Sequence, residues 1–266
     1  MNALNLTSPH NPHIKRIRAL RQRKAREESG LFLVEGIRPV GEAVESGASL
    51  AYLCYAPERL TSDYARRLIQ AQQAKGLPVY AVSAEVLESL ADKENPQGII
   101  AVVRRPQVTL DDLTAQNAPW VVAVVSPQDP GNIGTILRTM DAVGADALVL
   151  IEPSADPYHP KSVRASMGTI FWHPPVMTTF ERFASWARAQ GYHIYGTSAH
   201  GDTLYTEVAR YERPAILLLG SEREGLTPEQ AACCQRVIRL PMRGRATSLN
   251  LAVAAGVMLY AMMEKL

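Results

Sequence analysis

Arg243, Gly244 and Arg245 sit in the stretch Leu240-Pro-Met-Arg-Gly-Arg-Ala-Thr-Ser248-Leu-Asn250, which runs straight into the apolar segment Leu251 to Met263. A cationic loop hinged on glycine thus precedes an expected helix start at Thr247 or Ser248. Unpaired backbone N–H groups and the positive end of the helix dipole hold an anion or a small cofactor at such a place. Two further polar turns share this character. The β-branched run Trp120 to Ser126 reads as a buried strand and turns through Asp129-Pro-Gly-Asn132 into a helical pattern over Ile133 to Val143. The run Ala215 to Leu219 turns through Gly220-Ser-Glu222-Arg-Glu224-Gly-Leu226. Open α/β sheets bind ligands at the carboxyl ends of buried strands, so the three turns define one expected site.

Each polar residue in these turns has a packing reading beside a chemical one. Asn132 follows Gly131 at the expected helix start, where Asn is among the best N-caps, and the same side chain serves equally as an active-site amide. Ile133, Ile136, Leu137, Met140 and Val143 form one apolar stripe at about 100° per residue, and Arg138 projects from the opposite side, as a surface cation or as a group aimed at a ligand. Glu222 and Glu224 flank Arg223 as a solvated turn ahead of the helix signal Thr227-Pro228, or as site carboxylates. Ser248 is an N-cap or a site hydroxyl. Gly220 and Gly244 permit close backbone approach. No His lies in the three turns, so an ordinary imidazole base is absent from them.

The elements that must position these residues follow βα alternation. The pattern predicts helices over 13–26, 37–46, 60–75 and 84–91, and strands over 31–34, 50–55, 78–82 and 98–103. A polar, Pro-containing stretch from Arg104 to Pro119 interrupts the alternation as a linker. Strands near 120–126, 147–151, 192–197, 215–219 and 236–240 then alternate with helices, the signature of a mostly parallel sheet. The expected domains are therefore 1–104 and 119–266, joined by 105–118. The apolar segment 251–263 is thirteen residues long against the roughly 20 that span a bilayer, and is expected as a helix apolar on all sides, in a core or a subunit interface.

Net charge is only +2, yet no Asp or Glu precedes Glu27, while Lys15, Arg16, Arg18, Arg21, Arg23, Lys24 and Arg26 crowd together. That patch suits phosphate contact with release of counterions; a solvated helix face and an organellar transit peptide are the alternatives. Tyr158, Lys161 and Arg164 suit phosphate contact or a charged helix start. Cys54, Cys233 and Cys234 have no metal-ligand spacing and no disulfide framework, which fits a reducing cytosol, and no metal is expected.

The segments Asn132-Ile-Gly-Thr-Ile-Leu-Arg138-Thr, Leu219-Gly-Ser-Glu-Arg-Glu-Gly-Leu226 and Leu240 to Tyr260 resemble, in order, the three motifs of the SpoU (TrmH) family of RNA ribose 2'-O-methyltransferases in the SPOUT superfamily. Thr135 stands where Ala is commoner and Ser221 where Asn is common, changes that remove no charged group. Residues 1–104 resemble the ribosomal-protein-like substrate-binding domain found in front of many members, and this resemblance starts inside the basic segment, against a transit peptide. The resemblance implies an α/β fold with a C-terminal trefoil knot, a homodimer, and S-adenosylmethionine as cofactor. It also implies an RNA substrate, 23S rRNA ahead of tRNA. It gives active-site roles to Asn132, Arg138, Glu222, Ser248 and Asn250, and cofactor contacts to Thr197, Leu219, Gly220, Leu240, Met242, Ser248 and Leu249. Lys15, Arg16, Arg21, Arg23, Lys24, Lys161, Arg164, Arg243 and Arg245 are the expected RNA contacts.

Two rival readings come from other classes. A dinucleotide-binding domain is supported by Glu152 at the end of the second strand, but the turn reads Gly131-Asn-Ile-Gly134 rather than GxGxxG. A non-catalytic RNA-binding module is opposed by the intact Arg138, Glu222, Ser248 and Asn250 only through the resemblance.

Overall fold

The computed structural model describes residues 4–91 and 96–266. Two compact units emerge, one of residues 1–106 with 158–172, the other of 107–157 with 173–266.

The first unit runs β1 (Leu4–Leu6), α1 (Pro12–Ala19), α2 (Arg23–Ser29), β2 (Leu31–Glu35), α3 (Ile37–Glu45), β3 (Leu50–Tyr55), α4 (Asp63–Ala74), β4 (Val79–Val82), α5 (Ala84–Leu90) and β5 (Ile99–Arg104). Its five-stranded sheet has the order β1-β4-β3-β5-β2, with β5 antiparallel to both neighbours. The helix expected over 13–26 is in fact two. Leu20 turns inward and is buried, Gln22 is extended, and the buried Arg26 guanidinium donates to the Leu20 carbonyl at 2.7 Å, which fixes the break. Strand β1 is too short to show a period, and the sequence pattern does not predict it.

The second unit begins before its first strand. Residues 107–118, expected as linker, are anchored: Leu110 and Ala118 are buried in its core, and the Trp186 indole and Tyr192 hydroxyl donate to the carbonyls of Leu113 and Ala118. Then come β6 (Trp120–Val125), α6 (Pro130–Val143) and β7 (Ala147–Ile151). Next in the chain, α7 (Pro160–Ala165) and α8 (Thr169–Trp172) pack within the first unit. The Tyr158 ring lies 4.7 Å from that of Phe32, and the Trp172 indole donates to Glu42 at 3.4 Å. Sequence pattern places this stretch in the second domain instead, because ring contacts between distant segments leave no local periodicity.

The chain continues as β8 (Val176–Thr178), α9 (Phe180–Ala189), β9 (His193–Thr197), β10 (Thr203–Leu204), β11 (Ala215–Leu219), α10 (Pro228–Ala232), β12 (Arg236–Arg239) and α11 (Leu251–Met263). The seven strands of the second unit form a sheet ordered β10-β12-β9-β11-β6-β7-β8, parallel at every pairing. Every residue of β6, β7 and β11 is buried, as a parallel sheet covered on both faces requires. Strands β6, β7 and β8 run outward on one side, while β11, β9, β12 and β10 lie on the other. The order in which the chain lays down its strands therefore reverses between β6 and β11, although all strands stay parallel, and such sheets open a crevice at their carboxyl ends at this point.

Helix α11 has two unlike faces. It is apolar all round, but only Leu251, Ala252, Ala255, Met258, Leu259 and Met262 are buried; Val253, Val257, Tyr260 and Met263 stand exposed, Val253 at 53%. Among the described residues no helix is long and apolar enough to cross a membrane.

Candidate active site

The three polar turns meet at the reversal between β6 and β11. Parallel pairing aligns Leu219 with Val124, so the turns leaving β6 and β11 emerge side by side. Asp129, not Asn132, caps α6: its carboxylate accepts from the Gly131 N–H at 2.7 Å. Asn132 thereby falls in the first turn with its side chain released from capping, buried to 8% exposure and engaged with two other partners. Its Nδ2 donates to Glu222 Oε1, and its Oδ1 accepts from Asn250 Nδ2 at 3.1 Å. The second Glu222 oxygen accepts from the Gln128 N–H at 2.9 Å. One residue from each turn is thus joined in a single chain of hydrogen bonds.

Asn250 also corrects the expected start of α11. Its Oδ1 accepts from the N–H groups of Ala252 at 2.9 Å and Val253 at 3.3 Å, so Asn250 is the N-cap, and Thr247 and Ser248 stay in the loop. Freed from capping, Ser248 lines a cavity.

That cavity, of about 340 Å³, opens at the carboxyl ends of β9, β11 and β12. Leu219, Ile238, Leu240, Met242, Leu251 and Met258 supply apolar walls; Thr197, Glu222, Ser248 and the backbone of Gly220 supply polar edges, and Leu249 closes the rim. Every residue expected to touch a cofactor lines it. The loop Ser198-Ala199-His200 lines it too and is absent from the expected site, although it is also a polar turn after a buried strand and the same rule identifies it. Ser126, at the end of β6 and outside the cavity lining, holds φ at 45°, a region non-glycine residues seldom adopt, and its carbonyl accepts from Gln128 Nε2 at 2.9 Å.

The two glycines differ. A Cβ on Gly220 would lie 2.4 Å from the Gly225 carbonyl carbon, because Ser221 and Gly225 exchange backbone hydrogen bonds and fold the turn back on the strand end. Gly244 has open space around it, so no protein atom there requires a glycine.

The expected cations are more dispersed. Arg138 lies on the exposed side of α6, opposite its buried stripe, and does not line the cavity. Arg243 and Arg245 are exposed in the 240–250 loop, outside the cavity lining. In the first unit Lys15 and Arg16 are exposed on α1, while Arg23 and Lys24 pair with Glu27 at 2.6 Å and Glu28 at 3.8 Å. Arg21 and Arg164 line one small recess with Glu35, and Lys161 is exposed at the start of α7. Burial pushes the thiols of Cys54 and Cys234 up to about 12, which keeps them neutral packing groups at physiological pH.

Residues 119–260 match the SpoU rRNA methylase family and residues 11–101 the MRM3-like substrate binding domain. The chain belongs to the SpoU rRNA methylase family. This overturns the dinucleotide-binding reading; Glu152, on which that reading leaned, is exposed and lies outside the cavity lining. Among relatives of this SpoU methyltransferase, a 23S rRNA (uridine(2479)-2'-O)-methyltransferase of Streptomyces viridochromogenes is 36% identical over 91% of this chain and 85% of its own length. A 23S rRNA (guanosine(2553)-2'-O)-methyltransferase of Bacillus subtilis is 32% identical over 96% of this chain and 97% of its own. A crystal structure of an AdoMet-bound rRNA methyltransferase from Sinorhizobium meliloti superposes with a TM-score of 0.89 at 35% identity, covering 97% of each chain.

Gly220→Ala is expected to lower stability by about 1–3 kcal/mol, the cost of forcing atoms into packed space. Gly244→Ala is expected within about 0.5 kcal/mol of wild type. Urea denaturation of both variants checks the contrast.

Proposed function

We propose that this SpoU methyltransferase transfers the methyl group of S-adenosylmethionine to a ribose 2'-hydroxyl of 23S rRNA. The observation that carries the reading is the Glu222–Asn132–Asn250 bridge beside a cavity at the reversal of the sheet. S-adenosylmethionine, when bound, supplies an electrophilic methyl on a sulfonium centre. The cavity fits it in size, within the roughly 300–1,000 Å³ of small-molecule sites, and in chemistry, with apolar walls for an adenine and polar edges for a ribose and an amino acid. Leu219, Gly220, Leu240, Met242 and Leu249 hold it by shape and backbone groups, with Thr197 and Ser248 at the polar edge.

Glu222 takes donors on both oxygens, so its role is to anchor Asn132 and the turn at Gln128 rather than to take a proton from substrate. Asn132, Ser248 and Asn250 place the ribose against the methyl donor. Arg138, a poor base because its guanidinium stays charged, orients the RNA phosphate and stabilises the charge developing on the 2'-oxygen as its proton passes to solvent and S-adenosylhomocysteine leaves. The exposed apolar face of α11 supports a homodimer, with that face covered by the second copy. The trefoil knot rests on the match to the family, with which the all-parallel sheet agrees. The 23S rRNA substrate rests on the relatives' activity and on the match of the front unit to a substrate-binding domain; tRNA is the second reading. A cytoplasmic location follows from that substrate.

Calorimetry is expected to give binding of S-adenosylmethionine in metal-free buffer and none of NAD; binding of NAD alone sinks the reading. Arg138→Ala is expected to slow methyl transfer at least about a hundredfold, roughly 2.7 kcal/mol of transition-state stabilisation, with the melting temperature unchanged. Survival of activity alongside a lower melting temperature makes Arg138 structural.

The front unit's electrostatics have their own test. Helix α1 contains no acidic residue to pair with Lys15 and Arg16. Replacing both by Ala is therefore expected to lower the log–log salt slope of rRNA binding by about 0.7–0.9 for each phosphate no longer neutralised. Replacing the paired Arg23 and Lys24 is expected to change it less. Equal slopes for both variants and wild type place the RNA elsewhere.

A further inference from the structure

A second cavity, of about 420 Å³, lies wholly within the first unit. Its floor is aromatic. Phe32 is fully buried, Tyr158 is 3% exposed, and the half-buried Phe171 lies nearly parallel to Phe32, at 21° with ring centroids 6.2 Å apart. One wall is the tight turn after α3, where Gly47 holds φ at 74°. The mouth carries Arg104 and Arg105 at the end of β5. The Arg105 guanidinium carbon sits 4.8 Å from the centroid of the Tyr158 ring. Stacking engages the flat face of a guanidinium and leaves the N–H donors on its edge for an anion.

Three features therefore coincide: a partly exposed aromatic face, space for a small planar group, and two cations at the rim. An apolar peptide side chain has no use for the cations, and a free phosphate has none for the rings. A base joined to a phosphate uses both, as in sequence-tolerant binding of single strands, where stacking on aromatic rings combines with a cationic rim.

We propose that this cavity takes one unpaired nucleotide of the RNA substrate, its base stacked on Phe171 and its phosphate held by Arg104 and Arg105. The inference rests on the RNA-methyltransferase reading but concerns a site separate from the methyl-transfer cavity. It gives the front unit a defined grip on an unpaired base beside the sequence-independent attraction of the basic helix α1.

Fluorescence anisotropy of the full-length protein with a labelled, 5'-phosphorylated RNA hexamer, oligo(U) or oligo(A), tests it. Phe171→Ala is expected to weaken binding about 5- to 150-fold, the range for removing one stacking ring, without changing the salt slope. Phe171→Trp is expected to restore it. Arg105→Ala is expected to lower the slope by about 0.7, the value for one single-strand phosphate. Should Phe171→Ala fail to fold, Phe171→Leu keeps the apolar volume without the π-face and is expected to show the same weakening. Wild-type affinity in a folded Phe171→Leu protein overturns the proposal, as does UMP or AMP competing as well as the hexamer, which marks a free-nucleotide site. S-adenosylmethionine affinity, measured by calorimetry on the same proteins, is expected to stay unchanged. Its absence in the wild type is instead a failure of the methyltransferase reading, so the two failures are separable.

Discussion

The active site depends on one side-chain amide. Asn132 donates to Glu222 and accepts from Asn250, and through them it joins turns that leave the sheet at β6, β11 and β12. An amide is well suited to this position, because it presents a donor and an acceptor on one planar group; a carboxylate there would repel Glu222, and an aliphatic group would orphan both partners. Leaving one buried polar group unpaired costs about 1–3 kcal/mol. The bridge is therefore strong enough to fix loop geometry in a region without regular secondary structure.

The rest of the second unit is arranged so that this amide can make both bonds. Asp129 takes over capping of α6, and Asn250 caps α11 with the oxygen of the amide whose nitrogen reaches Asn132. Parallel pairing of β11 with β6 brings the two turns together, and the backbone contact at Gly220 holds the second turn flat against the strand end. Beside this polar line lies a cavity with apolar walls and polar edges. Arg138 is separate from this frame. It projects from the exposed side of helix α6 and takes no part in the hydrogen-bonded bridge.

Much of this was legible in the sequence, because the signals were local. Buried parallel strands appear as short β-branched runs, and polar turns after them mark two of the three loops that line the cavity as well as the turn after β6 that carries Asn132. The stripe on α6 puts Arg138 on the exposed side, where it stands. What sequence could not show depends on contacts between distant residues. The caps go to Asp129 and Asn250 although Asn132 and Ser248 are equally good caps by type, and only tertiary structure decides among them. Residues 158–172 follow β7 in sequence yet pack within the first unit through Tyr158, Phe171 and Trp172. The helix expected over 13–26 breaks because a buried Arg26 binds the Leu20 carbonyl, which charge counting treats as one more solvated cation.

The most direct measurement of the amide's role is a double-mutant cycle on single-turnover methyl transfer with Asn132→Ala, Glu222→Ala and the pair. If the two side chains act as one unit, the double variant is expected to be little worse than either single variant, with a coupling of about 1 kcal/mol or more. Losses that simply add, with all three proteins folded, would contradict the shared amide as the organising contact of the site.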